Sequence, residues 1–178
     1  FGNGAPDGPK NTVGTMFDQM FVYETFCQVL EAAEILGYTA EDAPILKNIH
    51  EKLDKLDHVI VGKSGHVKEY REEEFYGEFG RYEHHGMAQL VGVYPATSIN
   101  SSTDAWQDAA TVTATERGIN YTGHQSSFKQ LVWARLGNSD YAYLLAQDHI
   151  TKYLRDNLWN THTPFQIDGN FGYTAGVA

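Results

Sequence analysis

The chain has 178 residues, 42% of them hydrophobic and 13% aromatic, enough to bury one sizeable core. It carries 23 acidic against 13 basic side chains, a formal net charge of −10. That balance leaves no cationic stripe for DNA or RNA, and no apolar run approaches the roughly 18 residues of a membrane helix, so neither nucleic acid nor membrane is an expected partner.

Residues 1–13 are rich in Gly, Pro and Asn and read as a loop. The first strong element spans about Gly14 to Leu36 and is closed by Gly37. Met16, Met20, Tyr23, Cys27 and Leu30 form one apolar seam along it, and Val22, Phe26, Val29, Ala33 and Leu36 form a second, which predicts a helix buried on two sides. Cys27, the single cysteine, excludes an internal disulfide and reads as core. A helix over about Glu41 to Leu56 has one stripe, Ile45, Leu46, Ile49, Leu53 and Leu56, and is expected to face solvent on its other sides; Thr39 and Asp42 resemble a capping box at its start. Val59, Val61, Lys63-Ser64-Gly65 and Val67 predict a short β-hairpin, and residues 71–85 a long loop ending in Tyr82, Glu83, His84 and His85.

Met87 to Val93 predicts a short helix stopped by Tyr94-Pro95, and Thr103 or Asp104 caps one running to Arg117. Two more follow, about His124 to Leu136 and Ser139 to Leu154. The chain is therefore all-α, helix hairpins in series with one hairpin excursion, a pattern that suits a bundle, a solenoid or a toroid of helix pairs. No fixed repeat supports a solenoid, and a two-sided helix beside a one-sided one favours the toroid. The chain opens at Phe1 and stops at Ala178 inside a nascent helix, so it is expected to be part of a longer protein. Asn100-Ser101-Ser102 and Asn120-Tyr121-Thr122 are glycosylation triplets usable only in a secreted eukaryotic protein.

The densest stretch is Asn157 to Gly172, where aromatic rings, His162, Asp168 and amide side chains share a segment whose Pro and Gly predict irregular backbone until a helix starts near Gly172. Asp168, between Ile167 and Gly169, is a candidate base; read structurally, it is an Asx-turn residue tying the loop to the next helix. The run Thr161-His162-Thr163-Pro164-Phe165-Gln166-Ile167-Asp168-Gly169-Asn170-Phe171-Gly172 closely resembles the HPPFQIDGNFG block of glycoside hydrolase family 95, the inverting α-L-fucosidases and related α-L-galactosidases. Leu131 to Leu136, Leu90 to Pro95 and Gly14 to Met20 resemble its LWARL, LxGLYP and T-x-D-x-Q segments in the same order.

The resemblance implies that residues 1–178 are a fragment of a single (α/α)6 toroidal catalytic domain, incomplete at both ends, with the remainder of that domain as its partner. It also implies an oligosaccharide or glycan substrate, no cofactor, and an extracellular or periplasmic location. Asp168 matches the family's general base, while the general-acid glutamate and two water-positioning asparagines belong to upstream segments. Inversion needs both carboxyl groups, roughly 6.5–9.5 Å apart. His162 is implied to contact sugar or orient Asp168, with Asn170 a further substrate-binding candidate. The family's HRHxSHL reads His84-His85-Gly86-Met87-Ala88-Gln89-Leu90 here, so His84 is kept, and His85 and His124 are carried as wall candidates. Gly123-His124-Gln125 replaces a frequent Gly-Trp-Ser, removing an aromatic platform. The alternatives are a metal site on His84, His85, His162 and Asp168, a polysaccharide lyase using Tyr82, His84 and His85, and a non-catalytic carbohydrate-binding relic.

Overall fold

The computed structural model describes residues 14–71 and 86–178. Among them are six α-helices, one 3-10 turn and no strand: α1 Met16–Leu36, α2 Pro44–Leu53, the turn Ala88–Leu90, α3 Asp104–Glu116, α4 His124–Arg135, α5 Ser139–Lys152 and α6 Ile167–Val177. The all-α expectation holds.

Helix α1 starts where Thr15 accepts a hydrogen bond from the Asp18 amide, and ends where Gly37 takes φ +74°, a left-handed conformation that costs only glycine nothing. Both seams are half-buried in part, at Tyr23, Cys27 and Leu30 on the first and at Phe26 and Ala33 on the second, and only the first has fully buried residues. Met16 and Met20 are buried, whereas Val22, Val29 and Leu36 on the second stay exposed, so the expectation of two-sided burial is corrected. Periodicity records which faces are apolar, not what stands against them. In α2, Leu46 and Ile49 are buried and the other faces are open, as its single stripe predicts. The Thr39–Asp42 pair closes a separate turn, with Asp42 Oδ2 accepting from the Thr39 amide at 3.0 Å; the helix begins later, at Pro44.

The expected hairpin reduces to a single antiparallel bridge, Val61 with Val67, around the Gly62–Gly65 turn. Its far side is fastened to α3: the Val67 amide donates to Thr113 Oγ1 at 2.9 Å. The core joins Met16 and Met20 to Val67, to Leu90, Val91, Val93 and Ile99, and to Ala109, Ala110, Val132, Trp133 and Leu145. Helix α4 lies between α5 and α6 and packs on both.

The last helix starts at Ile167, five residues before the sequence predicts. Its glycines are the reason. Gly169, Gly172 and Gly176 fall on one face, and a Cβ on them would meet Asn160 Nδ2 at 2.7 Å, Ser127 Cβ at 2.8 Å and Gln130 Nε2 at 2.7 Å. Three residues that lower helix propensity by roughly 1 kcal/mol each are offset by backbone-close packing against α4.

Candidate functional site

The α4–α6 contact converges on the N-terminal ends of both helices. Gly123, before α4, adopts φ +68° and ψ −148°, and a Cβ there would collide with Gln166 and with His162 Cγ at 3.0 Å. The absent side chain lets the 162–166 segment lie over the start of α4. Gln166 Oε1 then accepts from both the His124 amide and His124 Nδ1, each at 3.0 Å. With Nδ1 carrying the hydrogen, Nε2 accepts from the Gln125 amide at 3.0 Å. His162 is fixed likewise: its amide donates to Asn160 Oδ1 at 3.0 Å, and Nδ1 donates to the Pro164 carbonyl at 2.8 Å, leaving Nε2 as the acceptor.

His124, His162 and Gln166 line a cleft of about 610 Å³ whose other walls include Phe17 and Phe21 of α1, Tyr121, Phe128 and Gly86. Glu69 also reaches it, held by Arg117 at 3.3 Å. Sequence reasoning missed Gln166, Glu69 and the phenylalanines. Phe17 and Phe21 lie on neither seam assigned to α1, and Glu69 follows the hairpin turn with no local motif around it.

Asp168 sits in the first turn of α6, exposed, two residues past Gln166, and is not itself a wall of the cleft. Gln166, not Asp168, occupies the N-cap position, so the Asx-turn alternative does not describe it. Its carboxylate makes no hydrogen bond or ion pair among the described residues, while its backbone carbonyl accepts from Ser127 Oγ at 3.4 Å. Asn170, expected to bind substrate, has both ends of its amide engaged by the preceding loop: Nδ2 donates to Leu158 O at 2.8 Å, and Oδ1 accepts from the Asn160 amide at 3.3 Å. The structure thus brings His124 and His162 together, with Asp168 nearby on the turn that follows. His84 and His85, with Tyr82 and Glu83, lie outside the described residues. Among the described residues no group of three or more His, Cys, Asp or Glu could hold a metal ion, and no helix is long and apolar enough to cross a membrane.

The cleft thus sets aromatic faces beside oriented imidazoles and amides, with the Asp168 carboxylate on the adjoining turn. In comparison with known proteins, residues 3–178 match the Glycosyl hydrolase family 95 catalytic domain, and the chain belongs to that family. It is 31% identical over 189 aligned positions to Alpha-L-fucosidase 2 of Arabidopsis thaliana, covering 98% of this chain and 22% of the relative. It is 30% identical over 190 positions to Probable alpha-fucosidase A of Aspergillus oryzae, covering 97% and 26%. A protein of the same description from Aspergillus niger is 30% identical over 193 positions, covering 98% and 23%. The chain therefore spans about a quarter of the length of the curated relatives it matches.

Proposed function

We propose that this chain supplies part of the catalytic domain of an inverting glycosidase that removes terminal α-L-fucosyl or α-L-galactosyl residues from glycans, with Asp168 as the general base. The family membership supports the class of reaction, and the relatives' names support the sugar. The observation that carries the residue assignment is Asp168 itself: a carboxylate without a hydrogen-bond or ion-pair partner among the described residues, on a turn clamped by Ser127 and by the glycine face of α6. An exposed carboxylate on a clamped turn is open to water and can accept its proton, as a general base must.

In this reading the (α/α)6 toroid is completed by chain outside these residues, which also carries the acid and the water-positioning asparagines. Asp168 takes a proton from a water as its oxygen bonds to the anomeric carbon. The glycosidic bond breaks on the opposite face, and the acid's proton goes to the leaving oxygen. His162, with Nδ1 engaged by the Pro164 carbonyl, holds Nε2 as an acceptor position for a sugar hydroxyl, while His124, both of whose ring nitrogens are engaged by Gln166 and Gln125, shapes the wall beside it. The same reading takes an extracellular or periplasmic setting as the expected one.

The test is Asp168→Asn in the complete protein, with the first product followed by proton NMR. A loss of kcat of at least ~10²–10⁴ with little change in KM is the expected result, because Asn keeps the shape and loses the proton affinity. The unsubstituted protein releases the β-anomer first. Retained configuration, or an active Asp168→Asn protein, overturns the assignment, and sugar binding without turnover in the unsubstituted protein makes it a relic.

A further inference from the structure

Among the described residues His162 lines three hollows: the 610 Å³ cleft, a second of about 370 Å³ lined by Arg155, Asn157, Trp159, Thr163 and Phe165, and a third of about 340 Å³ beside Asn120, Tyr121, Thr122 and Tyr153. The second hollow is built around an indole held in the open. Trp159 is 55% exposed, and its ring lies on Phe165 with centroids 4.6 Å apart and planes 21° apart, so one face is backed and the other faces solvent. Its backbone is tied at both ends: the amide donates to Asn157 Oδ1 at 3.1 Å, and the carbonyl accepts from the Arg155 amide at 2.8 Å.

Both neighbours of Trp159 are anchored in turn. Asn170 of α6 binds the Leu158 carbonyl and the Asn160 amide, and Leu158 is held at φ +66°, where a branched side chain is strained. These anchors fix the position of the indole relative to α6 and to His162.

We propose that Trp159, backed by Phe165 and framed by Arg155 and Asn157, is a stacking platform for a second pyranose of the glycan whose terminal residue occupies the cleft beyond His162. The inference rests on the glycosidase reading. A pyranose has a C–H face that covers an indole and hydroxyls that stay in water at an open site, and the hollow offers the indole face in an almost wholly apolar lining that Arg155 and Asn157 border. Because His162 borders both the cleft and this hollow, the occupant is assigned to the same ligand.

The experiment uses the complete protein carrying Asp168→Asn, so that ligands stay intact, and isothermal titration with two probes: free L-fucose, and a trisaccharide bearing one terminal α-L-fucosyl residue on a neutral galactose–glucose core. The ratio of the two Kd values measures the second subsite. Trp159→Leu reduces the trisaccharide's advantage by about tenfold. Phe165→Leu reduces it in the same direction, and Tyr143→Leu, an exposed aromatic on α5, leaves it unchanged. An unaltered ratio in Trp159→Leu, or equal weakening of both ligands, overturns the platform. If the Asp168→Asn protein consumes the trisaccharide, the base assignment falls, and the platform is then judged by the same ratio taken from kcat/KM values. If neither sugar binds, platform and glycosidase reading fall together.

Discussion

Lys129 of α4 is fully buried, and its ammonium donates to the carbonyls of Arg117 at 3.0 Å and Gly118 at 2.7 Å, two groups that the end of α3 leaves without helical partners. Burial, and secondarily the charge of Arg117, pushes its pKa down to about 8 from the ordinary 10.5. Between those values the unfolded chain holds a proton that the folded chain has released, so this residue makes stability rise as pH goes from 8 toward 10.5 and fall as pH drops through 8. Burial raises Tyr23 and reverses the trend above its ordinary value of 10, so the clean window is about pH 8 to 10. Urea midpoints across that window are expected to rise in the unsubstituted protein and to lose that slope in Lys129→Met. Nothing around Lys129 in the sequence marks it as interior, because its partners are backbone carbonyls on another helix. His162 and Asp168 were readable for the opposite reason: they stand in one continuous block whose residue types are rare together. Gln166 stood in that block too, but its role depends on Gly123, some forty residues earlier.

At the scale of elements the informative case is α6. Glycine spacing of three and four, at 169, 172 and 176, is helical, yet glycine lowers helix propensity, and local reasoning alone predicts irregular backbone there. The face it forms is meaningful only once α4 is known to lie against it. Gly172→Ala separates the two effects. Propensity favours alanine by about 1 kcal/mol, but the new methyl would sit 2.8 Å from Ser127 Cβ and closer still to its hydroxyl, and overpacking typically costs about 1–3 kcal/mol. Crowding wins, so Gly172→Ala is expected to lower the urea midpoint. Ser127→Gly removes the colliding atoms, and the double substitution recovers stability beyond the sum of the single effects. Strictly additive effects would mean that α6 does not rest on Ser127.

For the molecule as a whole, the order and approximate limits of the helices could be read from hydrophobic period and from the glycines after Leu36, Arg117 and Leu136, because those signals are local. Which helix touches which could not, since a stripe identifies a face and not its partner. The second seam of α1 is the plainest instance. It is apolar along its length, yet Val22 and Val29 are each 38% exposed and Leu36 is 70% exposed, with Phe26 and Ala33 half-buried among them. Rows of this kind on one helix form a patch that water-facing surfaces rarely carry, and in the toroid proposed above such a face belongs against another helix. Expressed alone, residues 1–178 are therefore expected to self-associate and to bind the dye ANS. Val22→Glu together with Val29→Glu, both on the open seam and away from Met16 and Met20, is expected to reduce association in sedimentation velocity. In the complete protein the same pair should destabilise, because there the charges would be buried without partners. A monomeric 178-residue chain with a sharp melt and no ANS binding would show that the seam tolerates water and needs no covering helix.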